Sequence, residues 1–258
     1  AIKNVRVFDG ERIVPSETVL ISGNKVAAVQ AERIPVGAEV IDGAGKTLLP
    51  GLIDAHVHIW DESGLRQAAV FGVTVLVDMF TSVDFASTVK RAQETGPRPM
   101  AHLVSSMTLA TAAGGHGTEY GIKIPTIDKP EEAQAFVDAR IAEGSDFIKI
   151  IYDDGKTYGM AIPTVSRETL SEIIRAAHAR HMLAVVHAAS LADCREALAA
   201  GADGLAHLHF DAAFDPDFGR LAAEKKAFVI PTFSVLASMN GSPDLAGIAR
   251  DEALAPYL

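Results

Sequence analysis

Short apolar runs alternate with helix-like segments from Gly51 onward, and this alternation constrains the possible folds more than any other feature of the sequence. Brief apolar runs bounded by turn residues are typical of buried strands, and repeated strand–helix units indicate parallel strands joined by helices. The pattern predicts an α/β fold and favours a (β/α)8 barrel over an open doubly wound sheet, without deciding between them. Seven runs predict strands over 52–58, 73–79, 100–105, 146–151, 183–187, 203–208 and 227–232.

The segments between these runs carry recognisable helix signals. Ser166 is suited to cap a helix N-terminus, Pro130 to occupy a first helical position, and Gly201 to adopt the left-handed conformation that ends many helices. Behind Pro130 and Ser166, apolar residues recur with helical spacing. The sequence therefore predicts helices over 130–143, 166–180 and 190–200.

Residues 1–50 have a different texture, because they are rich in β-branched residues. Pairs of turn-forming residues interrupt them at Asp9-Gly10, Gly23-Asn24 and Asp42-Gly43. Such punctuation is typical of short antiparallel strands. The segment is therefore predicted to be a small β domain that is incomplete on its own.

The charge balance excludes some classes of partner. The chain has 33 acidic and 23 basic residues, a formal net charge of -10, and no basic stripe that would attract nucleic acid. We therefore expect a small-molecule or dipeptide partner and no nucleic acid.

Apolar runs and cysteine content bear on location. No apolar run approaches the ~20 residues that a membrane-spanning helix needs, so we expect a soluble protein without a membrane partner. Cys194 is the only cysteine, which excludes an internal disulfide and is compatible with the cytoplasm. A signal peptide that had been removed would leave no trace in this sequence.

Two histidines lie close together in the first predicted strand of the second region. His56 and His58 are two residues apart, so both side chains project from the same face of strand 52–58. Two imidazoles placed in this way can bind one metal ion. The pair is also compatible with a polar spot that binds no metal.

Lys149 lies in an apolar run and is expected to be buried. Strand alternation puts it on the same face as Phe147 and Ile151. An unpaired buried ammonium costs several kcal/mol, so the lysine needs either a carboxylate partner or neutralisation. His187 and His207 end the next two predicted strands, and ligands converge at the C-terminal ends of barrel strands.

Taken in chain order, His56-x-His58, Lys149, His187 and His207 resemble the metal signature of the amidohydrolase superfamily, in its prolidase-like or imidazolonepropionase-like branch. The resemblance implies a (β/α)8 TIM-type barrel over 51–258 that contains strands one to seven, with the eighth strand missing from this chain. It also implies that residues 1–50 form a small β-sandwich-like domain, normally completed by strands from the C-terminal part of the protein.

The same resemblance implies a binuclear metal centre. His56 and His58 would bind the buried ion and His187 and His207 the outer one, and Lys149, carboxylated by CO2, would bridge both as a carbamate. The expected cofactors are two divalent metal ions, with zinc expected first, although these ligands also suit Mn²⁺, Co²⁺ or Fe²⁺. Carboxylation would also remove the cost of burying an unpaired ammonium group, because it converts a cation into an anion that binds metal.

Other histidines are weaker candidates for metal ligands. His209 is the main rival of His207, but it lies past the predicted strand end. His178 and His181 are interpreted as solvated surface residues, and His102 as structural.

A loop histidine and two aspartates lie near the same end of the predicted barrel. His116, in a glycine-rich loop after the third strand, is a candidate for contact with the substrate carbonyl, and the alternative is an ordinary flexible turn. Asp54 and Asp78 are expected to make supporting hydrogen bonds rather than bind metal.

The predicted function is cleavage of an amide or peptide C–N bond by metal-activated hydroxide, with an N-acyl amino acid or an Xaa-Pro-type dipeptide as substrate. An esterase or lactonase acting at the same site and a non-catalytic barrel scaffold are alternatives. A mononuclear deaminase is a further one, against which Lys149 argues.

The resemblance also implies a general-base aspartate on the eighth strand, so the catalytic base is unknown in a chain that stops at Pro256-Tyr257-Leu258. We expect the remaining C-terminal portion to exist as a separate chain or to have been lost, and the protein to be a homo-oligomer.

Overall fold

The computed structural model describes residues 1–213, 215–241, 247, 250–254 and 256. The chain divides into two compact units, Ala1–Leu52 and Ile53–Leu258. The expectation about the chain end involves Tyr257 and Leu258, which lie outside the described residues.

The N-terminal unit contains one sheet, in the order β3-β2-β1-β4, with β5 also paired to β1. Its core is small and consists of Val5, Val7 and Val19. A sandwich-like second layer stays a prediction. The strands are β1 (Ile2–Phe8), β2 (Ile13–Ser22), β3 (Lys25–Ala28), β4 (Ile41–Asp42) and β5 (Thr47–Leu48).

Strand direction in this unit is only partly as predicted. The β1–β2 and β2–β3 pairs are antiparallel, whereas β4 and β5 pair with β1 in parallel. The prediction of antiparallel strands is therefore wrong for β4 and β5. Parallel neighbours need a long connection, and residues 29–40 between β3 and β4 supply one without a periodic signal in the sequence.

The second unit contains all seven of the predicted strands, each shorter than predicted. The α/β fold class is confirmed. The strands are β6 (Leu52–Val57), β7 (Val73–Asp78), β8 (His102–Ser105), β9 (Ile148–Ile151), β10 (Ala184–His187), β11 (Gly204–Ala206) and β12 (Phe228–Ile230).

These strands follow one another in chain order. One sheet has the order β6-β7-β8 and the other β12-β11-β10-β9, and β7–β8 and every pair from β9 to β12 are parallel. Between the two sheets, Asp146 N, just before β9, donates to Ser105 O at the end of β8 at 2.9 Å. Ala110, in the loop after β8, pairs with β9: its N–H donates to Lys149 O at 2.8 Å and its carbonyl accepts from Ile151 N at 2.8 Å. Closure of the barrel by an eighth strand stays a prediction.

Helices follow most of the strands, and the predicted end signals are confirmed. Ser166 Oγ accepts from Thr169 N at 3.1 Å, Gly201 has φ of 101°, and Pro130 opens a 3-10 turn that leads into the third helix. No helix of the described part has the length and apolar character needed to cross a bilayer. The helices are α1 (Glu62–Val70), α2 (Val83–Glu94), α3 (Ala133–Glu143), α4 (Arg167–His178), α5 (Leu191–Ala200), α6 (Pro216–Glu224) and α7 (Phe233–Met239).

Alternation along β9 determines where Lys149 lies. Ile148 and Ile150 belong to the large apolar cluster that strands and helices share. Phe147 belongs instead to a smaller cluster with side chains of β10 and β11. Lys149 lies on the face of Phe147 and Ile151, as the strand period predicts.

Candidate metal centre

The five predicted metal ligands line one cavity of about 610 Å³. His56 and Lys149 lie on β6 and β9, His58 directly follows β6, His187 ends β10, and His207 directly follows β11. The four histidines are therefore at, or close to, the C-terminal ends of their strands, where ligands converge in barrels, and Lys149 lies within β9.

The imidazole rings are close together. Ring centroids are 4.6 Å apart for His56 and His207, 4.7 Å for His187 and His207, and 5.5 Å for His56 and His58. His207 has φ of 97°, a backbone conformation that is uncommon for a residue with a side chain. Such strain persists only where the surroundings hold it, and it occurs most often at functional sites.

Burial keeps these rings uncharged near neutral pH. It lowers the pKa of His56 to about 2 and that of His187 to about 4, and it lowers the pKa values of His58 and His207 as well. The positive charge of Lys149 lowers all four further. A neutral imidazole has one nitrogen lone pair available for a metal ion.

Hydrogen bonds select which ring nitrogen keeps its lone pair. His58 Nδ1 donates to the carbonyl oxygen of Phe80 at 3.1 Å, so Nε2 is the free nitrogen. His187 Nε2 donates to Asp153 Oδ2 at 3.0 Å, so Nδ1 is free. Histidines that bind metal commonly donate their other N–H in this way.

A buried polar atom in the cavity wall lacks a partner. His56 Nδ1 is buried without a hydrogen bond to any described residue. Buried polar atoms are rarely unpaired, and a ligand that coordinates the nitrogen is one explanation of such an exception. His207 Nδ1, by contrast, lies 2.7 Å from Thr232 Oγ1.

Lys149 is buried, as predicted, with 2% of its surface exposed. Its ammonium has no carboxylate partner in the described part of the chain, and burial lowers its pKa to about 7. Asp78 attracts Lys149 electrostatically. The Asp78 carboxyl group, however, accepts hydrogen bonds from Ser105 Oγ at 2.6 Å and from Ile59 N at 3.1 Å. Of the two explanations that the sequence left open, neutralisation of the lysine fits and a direct ion pair does not.

The donor set fits two ions only if Lys149 is modified. Within the described residues, no group of three or more His, Cys, Asp or Glu side chains is spaced as a complete metal site. The pairs His56–His58 and His187–His207 supply two nitrogens each, and an ammonium group binds no metal. A carbamate on Lys149 would supply the oxygen donors that both pairs lack.

His116 also lines the cavity, with its ring 5.0 Å from that of His187. Its Nδ1 lies 2.5 Å from Glu119 Oε1, and Gly117 N donates to Glu119 Oε2 at 2.6 Å. Glu119 therefore orients the His116 ring.

Three residues of this region were missed by sequence reasoning. Asp153 lies two residues past the end of β9, so a search for polar residues near the C-terminal ends of the strands could have found it. Glu119 and Tyr120 lie in a loop without periodicity, and no sequence signal identifies them.

The remaining histidines and Asp54 lie elsewhere. His209 is buried against Phe218, with ring centroids 5.2 Å apart, and does not line the cavity. Asp54 is exposed and accepts a hydrogen bond from His56 N at 3.2 Å, which agrees with a supporting role.

The histidines outside the cavity include His178 and His102. His178 is exposed, as predicted, and its Nε2 lies 2.8 Å from Asp203 Oδ2, while the same carboxylate accepts from Ala184 N at 2.7 Å. His102 is exposed at the start of β8, and its structural role stays a prediction. His181 is exposed, as predicted.

The model of the Amidohydrolase family matches residues 47–249, which include all five candidate metal ligands. The chain belongs to the amidohydrolase family. It is 28% identical over 221 residues to an adenine deaminase of Chelativorans sp. (strain BNC1), which covers 76% of this chain and 35% of that protein. It is 35% identical over 89 residues to an L-hydantoinase of Paenarthrobacter aurescens, which covers 30% of this chain and 19% of that protein.

Among solved structures, this amidohydrolase-family chain is similar to a Xaa-Pro dipeptidase with bound methionine in the active site. The TM-score is 0.78 at 22% sequence identity, over 93% of this chain and 69% of that one. The likeness indicates a TIM-barrel-type fold. The chain spans about a third or less of the length of the two curated relatives named above.

Proposed function

We propose that this chain carries the binuclear metal site of a hydrolase that cleaves a C–N amide bond of a small molecule or dipeptide. The observation that carries the proposal is that four uncharged imidazoles line one cavity with a buried lysine that has no carboxylate partner among the described residues. An ester or lactone is the alternative substrate at the same site, because the same chemistry attacks any of these carbonyl groups.

Five cavity residues would bind metal in this proposal, and His116 would contact the substrate. His56 and His58 would hold one ion, His187 and His207 the other, and Lys149 both. When bound, two divalent ions supply Lewis-acid polarisation of the carbonyl and activation of water at neutral pH. His116, oriented by Glu119, would contact the substrate carbonyl group. We assign no general base to the described residues.

The surroundings of Lys149 support the proposal that it is carboxylated. Because burial disfavours the ammonium form, the neutral amine is accessible near pH 7. Its nitrogen lone pair forms a bond to the carbon of CO2, one C=O π pair moves onto oxygen, and the amine proton leaves to water. The resulting carbamate is an anion whose oxygens would hold two divalent metal ions at a site that disfavours a cation.

Metal analysis tests the proposal directly. We expect elemental analysis of the purified protein to find two divalent ions per chain, and mass spectrometry under native conditions to find one added CO2. One ion without CO2 would favour a mononuclear deaminase. No metal after incubation with zinc or manganese salts would favour a non-catalytic barrel and overturn the proposal. A panel of N-acyl amino acids, dipeptides and esters then defines the bond that is cleaved.

The carboxylate behind His187 should control metal affinity. We expect Asp153→Ala to weaken metal binding by about 10–100-fold, because His187 loses the acceptor that holds its ring and selects its tautomer. Competition with a fluorescent chelator measures this affinity.

The neighbouring carboxylate provides a matched control for that variant. Asp154→Ala removes an adjacent acid that pairs with the exposed Lys156 at 2.5 Å, so metal affinity should stay at the wild-type level. Equal affinities of the two variants would mean that Asp153 does not act through His187.

A further inference from the structure

The wall of the cavity beyond the histidines is largely apolar. Three of its apolar residues have about half or more of their surface exposed: Met160 at 54%, Val235 at 49% and Met239 at 63%. Exposed apolar side chains that gather around one cavity indicate a ligand that covers them. The aliphatic and thioether lining residues are Val57, Leu109, Ile151, Met160, Ile162, Val235 and Met239.

An aromatic cluster of three side chains adjoins the same cavity. Tyr120 lines it, with ring centroids 5.9 Å from Trp60 and 5.5 Å from Phe80, and Trp60 and Phe80 are 5.6 Å apart at 89°. Tyr120 is also 5.9 Å from the ring of His58. The cluster therefore reaches from the candidate metal centre to the surface, where Trp60 is 42% exposed.

Among the described lining residues, Lys149 is the one lysine or arginine that could pair with a substrate carboxylate, and its role lies at the metal centre. His116 is already paired with Glu119. The two acidic lining residues, Glu119 and Asp153, would repel a substrate carboxylate. Tyr158 is a neutral donor, because burial raises its pKa to about 12. A substrate carboxylate held against this wall would lose hydration without gaining a counterion.

We infer that the substrate is a neutral amide, carbamate or ester with an apolar, preferably aromatic, substituent that lies against this wall. A free α-carboxylate, as in a dipeptide or an N-acyl amino acid, is disfavoured. The inference narrows the proposed function and rests on it, since the wall recognises the substituent of the carbonyl group that the metal centre would attack.

Matched ligands test the inference without turnover. The probes are 3-(4-methylphenyl)propanamide, its 4-carboxyphenyl analogue and its 4-(aminomethyl)phenyl analogue, which share one carboxamide and differ in the charge of the distal group. Trp60 is the only tryptophan of the chain, so its fluorescence reports on this cluster. We expect the methyl compound to change Trp60 emission and to bind at least about tenfold more tightly than either charged analogue.

Two results of the titration would overturn the inference. One is a carboxylate or ammonium analogue that binds as tightly as the methyl compound, and the other is a methyl compound that leaves Trp60 emission unchanged. Binding selectivity is measured separately from metal content and turnover. A protein that selects the methyl compound but binds no metal would therefore contradict the proposed function and not the character of the wall.

A charge placed on the wall tests the cause of the selectivity. Met160→Arg should raise the affinity for the carboxylate analogue at least about fivefold, because the anion gains a counterion. Val70→Arg is the matched control: Val70 is similarly exposed, at 58%, but ends α1 and does not line the cavity. An unchanged carboxylate affinity in Met160→Arg would contradict the assignment of this wall to the substrate.

Discussion

His207→Ala is expected to lose bound metal and to lower kcat/KM by at least about 10³-fold, because each metal ion contributes several kcal/mol of transition-state stabilisation. His209→Ala should keep both metal and activity. The two histidines belong to the same His-x-His sequence, but only His207 lines the cavity, 4.6 Å from His56 and 4.7 Å from His187.

The comparison uses metal content per folded protein together with initial rates. His209 packs against Phe218, so its replacement should lower thermal stability while leaving the metal centre intact. Measuring both thermal stability and metal content therefore distinguishes a variant that unfolds from one that has lost a metal-binding side chain. If His209→Ala loses the metal and His207→Ala keeps it, the proposed ligand set is wrong.

Lys149→Met is expected to make the metal-free protein more stable while it abolishes metal bridging. The variant replaces a buried cation, which has no carboxylate partner among residues 1–213 and 215–241, by an apolar side chain of similar length. We expect a gain of about 1–4 kcal/mol in the free energy of unfolding, as found when buried charges are replaced by well-packed apolar residues.

The gain should depend on pH in a defined direction. The pKa of Lys149 falls from 10.5 in the unfolded chain to about 7 in the folded one, so between these values only the unfolded wild type binds the proton. Wild-type stability therefore rises with pH across this range. The advantage of Lys149→Met is full below pH 7 and shrinks as the pH rises toward 10.5.

Urea unfolding of chelator-treated proteins at about pH 6 and about pH 9 measures this difference. Lys123→Met is the control, because Lys123 is exposed and its replacement should change the free energy of unfolding by no more than about 0.5 kcal/mol. A Lys149→Met variant that is less stable than wild type at both pH values would mean that the ammonium is well compensated in the folded state.

Much of the fold was predictable from local sequence. Buried parallel strands need continuous apolar runs, so all seven strands of the second unit were located, and Ser166 and Gly201 marked helix ends through their own backbone preferences. The direction of β4 and β5 was not predictable. It depends on a connection that crosses to the other edge of β1, and turn residues do not encode the path of such a connection.

The candidate site divides in the same way. The sequence by itself determined which chemical groups stand at the ends of the strands, since strand period and strand order follow from local pattern. Only the tertiary structure decided that Lys149 has no carboxylate partner in the described part of the chain, that Asp153 supports His187, and that Tyr120 joins Trp60 and Phe80 beside the cavity. These relations join residues far apart in the chain, so they arise from packing in three dimensions and have no counterpart in local periodicity.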